Sequence, residues 1–299
     1  MMPFLRALLC LALIAPLPAL AEGLRVVSSF SLLADLCRVI GGDRIVLANL
    51  VPPGVDAHGY QPRPADARAI AEANIVVMNG LGFEGWIERL LRSVSFRGTV
   101  LVASDGVRLL EFGGHDHLAE PHDHQPDPHA WQDLQNGKLY ARNIALAFAK
   151  ADEANAAYYL ERLENFESGI DALDVRFRRR FAELPADGRR VVSSHDAFGY
   201  LARAYGLEFV APVGLSNAAQ PSAAQVAALI RQLREQHAAA LFVESISDPR
   251  LIEQIHAETG TRIGGTLYSD SLTPPGGEAT TYLAMMTHNL EMLAAALLK

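Results

Sequence analysis

The chain has 299 residues, half of them apolar, and 34 acidic residues against 26 basic ones give a formal charge of −8. That is enough chain for one large or two medium domains with real cores, and the acidic balance argues against a nucleic-acid or anionic-membrane partner. A cationic ligand would be tolerated.

The first 21 residues read as a secretory signal, with one cation at Arg6, an apolar run from Ala7 to Leu17, and a small-residue site Ala19-Leu20-Ala21 before Glu22. The run is too short for a permanent membrane span. Cleavage would take the charge from −8 to −9 by removing Arg6, and of the two cysteines would leave only Cys37. Cys10 sits too early, with apolar residues continuing past it, to look like a lipid-attachment cysteine. A free, monomeric protein in the periplasm is expected, stabilised by packing alone.

From Leu24 the pattern alternates strand and helix: Leu24 to Ser28 is β-rich, Ser31 to Ile40 has helical spacing, and Ile45 to Val51 is apolar again. Such alternation implies a parallel sheet. The turn-rich loop Val51-Pro52-Pro53-Gly54-Val55-Asp56-Ala57-His58 follows, then a helix over 64–72 and a buried strand over 74–78. His58 thus falls in a loop after a strand, where open α/β sheets bind ligands. A helix over 85–94 and a strand over 99–103 would close the first lobe.

Residues 113–125 form a loop without hydrophobic period that holds His115, His117, His122 and His124, an auxiliary metal-collecting tract. Pro126-Asp127-Pro128-His129 comes next. The two prolines hold their own φ and bias Gln125 and Asp127 away from helix, so the chain reaches His129 rigidly, just before a helix start. A helix over Asp152 to Leu184 carries acids at its start and arginines near its end, in accord with the helix dipole, and Pro185 stops it. Its length suits a rod joining two lobes.

After Gly188 the strand and helix rhythm restarts. Strands are expected over 190–194, 208–212, 240–244 and 262–267, with helices over 197–205, 221–237, 249–259 and 278–298, and Gly206 as a C-cap. The fold class is α/β: two parallel-sheet lobes, residues 22–150 and 186–299, joined by a helix over 151–185. His195 and Asp270 each follow a strand of the second lobe. With His58 and His129 they offer a closed His3Asp shell whose nitrogen and carboxylate donors suit Zn2+, provided the lobes face each other. Asp56, Asp127, Asp196 and Glu244 are candidate acceptors that would fix the imidazole tautomers.

Several motifs in order carry a resemblance: Pro-Pro-Gly-Val-Asp-Ala-His-Gly-Tyr-Gln-Pro at 52–62, the acid-and-histidine loop, Asp127-Pro128-His129-Ala130-Trp131, Ser194-His195-Asp196-Ala197-Phe198-Gly199-Tyr200, and Leu267-Tyr268-Ser269-Asp270-Ser271-Leu272. Over nearly its full length the chain resembles the extracytoplasmic solute-binding proteins of zinc and manganese ABC importers. The resemblance implies two lobes joined by one long rigid helix, metal bound in the cleft by His58, His129, His195 and Asp270, and delivery to an inner-membrane ABC permease. A periplasmic zinc chaperone is a further partner it admits. It also implies zinc, because manganese relatives carry glutamate where His195 stands. Two departures are a short histidine loop and no cysteine pair for the disulfide some relatives have. The alternatives are a manganese or iron importer protein, or a secreted zinc hydrolase with three histidine ligands. The hydrolase would need a water-bearing fourth position, and no HExxH helix or Gly-x-Ser-x-Gly elbow is present.

Overall fold

Each half of the chain builds a sheet of four parallel strands in the same order. In the first half β1 (Leu24–Phe30), β2 (Ile45–Val51), β3 (Ile75–Met78) and β4 (Thr99–Val102) run in the order β2-β1-β3-β4. In the second half β5 (Arg190–Val192), β6 (Glu208–Val210), β7 (Ala240–Glu244) and β8 (Ile263–Leu267) run as β6-β5-β7-β8. The structure is a computed structural model and describes residues 23–110, 126–185, 188–212, 214, 222–236 and 238–298. The expected signal and the four histidines His115, His117, His122 and His124 lie outside the described residues.

The central strand β1 pairs Val26 with Leu47 on one side and Ile75 on the other. It is covered on both faces, and the near-continuous apolar run of a parallel strand follows from that. Helices α1 (Ser31–Gly41), α2 (Pro64–Glu72) and α3 (Ile87–Ser93) make the crossovers of the first half. Those of the second are α6 (Gly199–Tyr205), α7 (Ala223–Gln236) and α8 (Arg250–Thr259). Pro64 opens α2 at a position where its missing N–H costs nothing. Gly206 (φ 66°) and Gly260 (φ 72°) end α6 and α8 in the left-handed conformation that favours glycine.

Between the halves lie α4 (Leu134–Ala151) and α5 (Ala156–Ala182), and α9 (Tyr282–Leu297) closes the chain. Asp133 caps α4 by accepting from the Gln135 amide at 2.9 Å. The helix expected to begin at Asp152 begins later. Residues Glu153–Asn155 form a 3-10 turn, because the Asp152 carboxylate takes bonds from Asn155 Nδ2 and Tyr159 Oη, both at 2.8 Å. The 27 residues of α5 still reach about 40 Å.

Helix α5 packs against α1, α4, α6 and α9. One apolar cluster therefore runs without a break through Phe30, Trp131, Phe177, Phe198, Leu267 and Tyr282, drawing on both halves. A smaller cluster of Val192, Leu229, Leu233, Leu241 and Ile252 fills the outer side of the second sheet. Among the described residues no helix is long and apolar enough to cross a membrane.

Candidate metal centre

The carboxyl ends of the strands face one another across the shared core, and four side chains meet there. His58 leaves the loop after β2. The Asp56 carboxylate accepts the His58 amide at 2.8 Å, and Trp86 Nε1 donates to the Ala57 carbonyl at 2.8 Å. The far end of the loop is tied by Asp66, which accepts from the Arg63 amide and the Tyr60 hydroxyl. His129 follows Pro128. Asp127 Oδ1 accepts its amide at 2.9 Å and faces its Nδ1 at 2.7 Å, so the turn and the ring are set by one carboxylate.

His195 lies just past β5 at the buried end of the second sheet. Glu244, the last residue of β7, accepts the His195 amide at 2.7 Å. Its other oxygen lies 2.6 Å from His195 Nδ1, a close contact rather than a well-aligned hydrogen bond. Asp270 follows β8. Its backbone is held from the other half, since Trp131 Nε1 and Gln132 Nε2 both donate to the Ser269 carbonyl, at 3.0 and 2.9 Å. A second tie joins the His58 and Asp270 loops, where the Gly54 amide donates to Ser271 Oγ at 2.8 Å and to the Leu272 carbonyl at 3.0 Å, while the Leu272 amide donates to Ser31 Oγ at the start of α1 at 3.0 Å.

One donor atom from each of His58, His129, His195 and Asp270 lies within 4.8 Å of the other three. His58 Nε2 is 3.3 Å from His129 Nε2 and 3.5 Å from Asp270 Oδ2. Asp270 Oδ1 is 3.5 Å from His129 Nε2, and Oδ2 is 3.2 Å from His195 Nε2. A tetrahedron with metal–ligand bonds of about 2.0–2.1 Å has edges of about 3.3–3.4 Å, so these spacings suit one small divalent cation. Asp270 turns both oxygens inward and can bind through one or both.

Electrostatics point the same way. Asp270 and His195 are fully buried, and both Asp270 oxygens and His195 Nε2 lack hydrogen-bond partners, which buried polar atoms rarely do. A shared cation would satisfy all of them. Without one, burial would lower the His195 imidazole, yet the Glu244 and Asp270 carboxylates hold it well above its ordinary value. Burial would raise Asp270, but His195 and His129 keep it well below the usual carboxylate range. The pocket thus draws in positive charge, as protons or as metal.

Of the four acids considered as acceptors for the imidazoles, Asp127 and Glu244 reach a ring nitrogen. Asp56 does not serve a ring: its carboxylate is spent on the His58 amide, turning the loop. Nor does Asp196 take the Nδ1 of its neighbour, which meets Glu244; the Asp196 amide bonds the Gly214 carbonyl. The sequence assigned no role to Trp131, named above only within its motif, or to Phe83. Trp131 Nε1 bridges to a carbonyl 138 residues away, and the Phe83 ring stands 4.4 Å from that of His58. Their signal was only proximity to His129 and to the end of β3.

Residues 26–296 match the family described as zinc-uptake complex component A periplasmic (ZnuA). The chain is 30% identical over 284 residues to the manganese ABC transporter substrate-binding lipoprotein PsaA of Streptococcus pneumoniae serotype 4, covering 93% of this chain and 90% of that protein. Among solved structures it resembles the periplasmic zinc binding protein TroA from Treponema pallidum, at a TM-score of 0.81 and 28% identity over 91% of this chain and 98% of that one. The manganese-bound periplasmic metal binding protein from Candidatus Liberibacter asiaticus fits equally well, at a TM-score of 0.81 and 29% identity over the same shares. Matched over most of its length in sequence and in fold, the chain belongs to the ZnuA family of substrate-binding proteins that serve metal ABC importers.

Proposed function

We propose that this protein captures Zn2+ in the periplasm through His58, His129, His195 and Asp270 and delivers it to an inner-membrane ABC permease. The observation that carries the reading is the third nitrogen donor: His195, buried and backed by Glu244, gives a His3Asp set at spacings suited to a small tetrahedral ion. Harder manganese favours a shell richer in oxygen. With Asp127 and Glu244 behind the imidazoles, three carboxylates face one dication, so zinc would be held with little excess charge.

Manganese is the second reading. Two observations favour it: the name of the streptococcal relative, and the two inward oxygens of Asp270, which permit a higher coordination number. Metal analysis of protein purified without added metal, followed by competition between zinc and manganese for the site, separates the two. Recovery of manganese, or a site that prefers it, would overturn zinc.

Residues 151–185 are proposed to join an N-terminal lobe, residues 22–150, to a C-terminal lobe, residues 186–299, in a monomer that receives zinc directly or from a periplasmic chaperone. The histidines at 115, 117, 122 and 124 are proposed to gather zinc for the cleft. Deleting 115–124 should slow uptake at scarce zinc and leave the cleft affinity unchanged; an unchanged uptake rate and metal stoichiometry would end that role.

A further inference from the structure

The three histidines are not supported alike. His129 and His195 are fully buried, and each Nδ1 meets a carboxylate, Asp127 or Glu244. The His58 side chain keeps 9% of its surface exposed, the most of the four ligands. What its ring meets is Phe83, edge-on, with centroids 4.4 Å apart and planes at 68°. Phe83 is itself immobilised against Phe30 at 4.8 Å and Trp131 at 4.9 Å, and its ring is 6.1 Å from that of His129.

The backbone that delivers Phe83 is unusual. Gly80, Leu81 and Gly82, just beyond β3, all adopt left-handed φ values of 84°, 55° and 79°. Leucine seldom tolerates that region, and such strain persists where the surroundings over-determine it. Here they do. The Glu84 carboxylate accepts from the Asn79 amide at 2.6 Å, the Gly80 amide at 3.2 Å and the Ser29 hydroxyl at 2.6 Å, all of them buried. The Phe83 amide closes the turn on the Gly80 carbonyl at 3.1 Å. A Cβ on Gly80 would stand 2.5 Å from Val102, so the close approach needs glycine. The turn places an aromatic ring between two proposed metal ligands and Trp131.

We propose that Phe83 is the positioning residue for His58, fixing by packing the ring orientation that Asp127 and Glu244 fix by charge for the other two histidines. The inference rests on the four-ligand reading above. An edge-on contact between rings favours one orientation and excludes water from that side. His58 Nε2 then stays aimed at His129 and Asp270 instead of turning to solvent. The ion keeps four protein donors, and no water completes its shell.

The test is a double-mutant cycle on the full mature protein, read by zinc competition against a chromophoric chelator and by the visible absorption of bound cobalt. Phe83→Ala should weaken zinc binding by about 10- to 100-fold, the range seen when the support of a ligand is lost. Phe83→Leu, which keeps the bulk, should recover most of it. The intense four-coordinate cobalt bands should fade in Phe83→Ala as in His58→Ala. In the His58→Ala background, Phe83→Ala should add nothing. An equal loss in both backgrounds, or a Phe83→Ala protein with the zinc affinity and cobalt spectrum of the unaltered one, would overturn the role. Unchanged zinc affinity in His58→Ala alone would instead bring down the four-ligand reading itself.

Discussion

The two halves share a strand order yet equip the metal centre differently. At the exit of β3 stands Asn79, whose Nδ2 donates to the Pro128 carbonyl at 2.9 Å and steadies the backbone before His129. At the matching exit of the second sheet stands Glu244, which grips His195 by its amide and its ring. The first half thus backs one histidine with an aspartate two residues away and packs another against an aromatic ring, whereas the second backs its histidine with a carboxylate from a neighbouring strand. A repeated scaffold decides where ligands can stand. The residue at one strand end decides what it grips, a backbone carbonyl in the first half and a histidine in the second.

The most severe test of that difference is His195→Ala, which should weaken zinc binding by well over tenfold in a competition titration. Unchanged affinity would detach the second half from the centre. Glu244→Gln and Asp127→Asn should each cost about 10- to 100-fold at alkaline pH. Glu244 helps to hold a proton on His195 that zinc must displace, so the deficit of Glu244→Gln should narrow as pH falls. A constant ratio to the unaltered protein at all pH values would contradict this.

The same charges predict how stability responds to pH without metal. His195 is raised on folding, so its contribution is present below the unfolded imidazole value of about 6.5 and lost as pH rises through its higher folded value. Asp270 is lowered, so its contribution holds above about 3.8 and is lost as pH falls through its folded value. Zinc should therefore add most to the melting temperature on the alkaline side, where the proton on His195 no longer stands in for it. Thermal melts with and without zinc across that range would show it, and a zinc increment independent of pH would count against it. The smallest effect expected is that of Trp131→Phe, which keeps the ring and deletes the bond to Ser269. It should cost about 1 kcal/mol in denaturant unfolding of the metal-free protein.

Regular elements were legible wherever apolar period and punctuation agreed. The helix over 64–72 and the strand over 240–244 have the bounds expected from Pro64 and from the apolar run ahead of Glu244. The start of α5 was not, because Asp152 competes for the first turn through its own side chain, a contest that helical spacing does not reveal. All four proposed ligands were readable as polar residues at a strand exit or at a turn between elements. Their supports divide by range: Asp127, two residues from His129, could be read from spacing, whereas Trp131 acts on Ser269 across the molecule. Phe83 looked like any core aromatic, and only three successive left-handed residues before it mark the turn as built for a purpose.

The continuous apolar interior beneath both sheets bears on how a transporter tells a loaded carrier from an empty one. Halves that share one interior have little freedom to swing apart, since any wide opening would wet Trp131, Phe177 and Tyr282 together. Recognition would then fall to the rim of the cleft, where His58 alone among the four reaches solvent and where gain or loss of a single ion can change the surface that a docking partner feels.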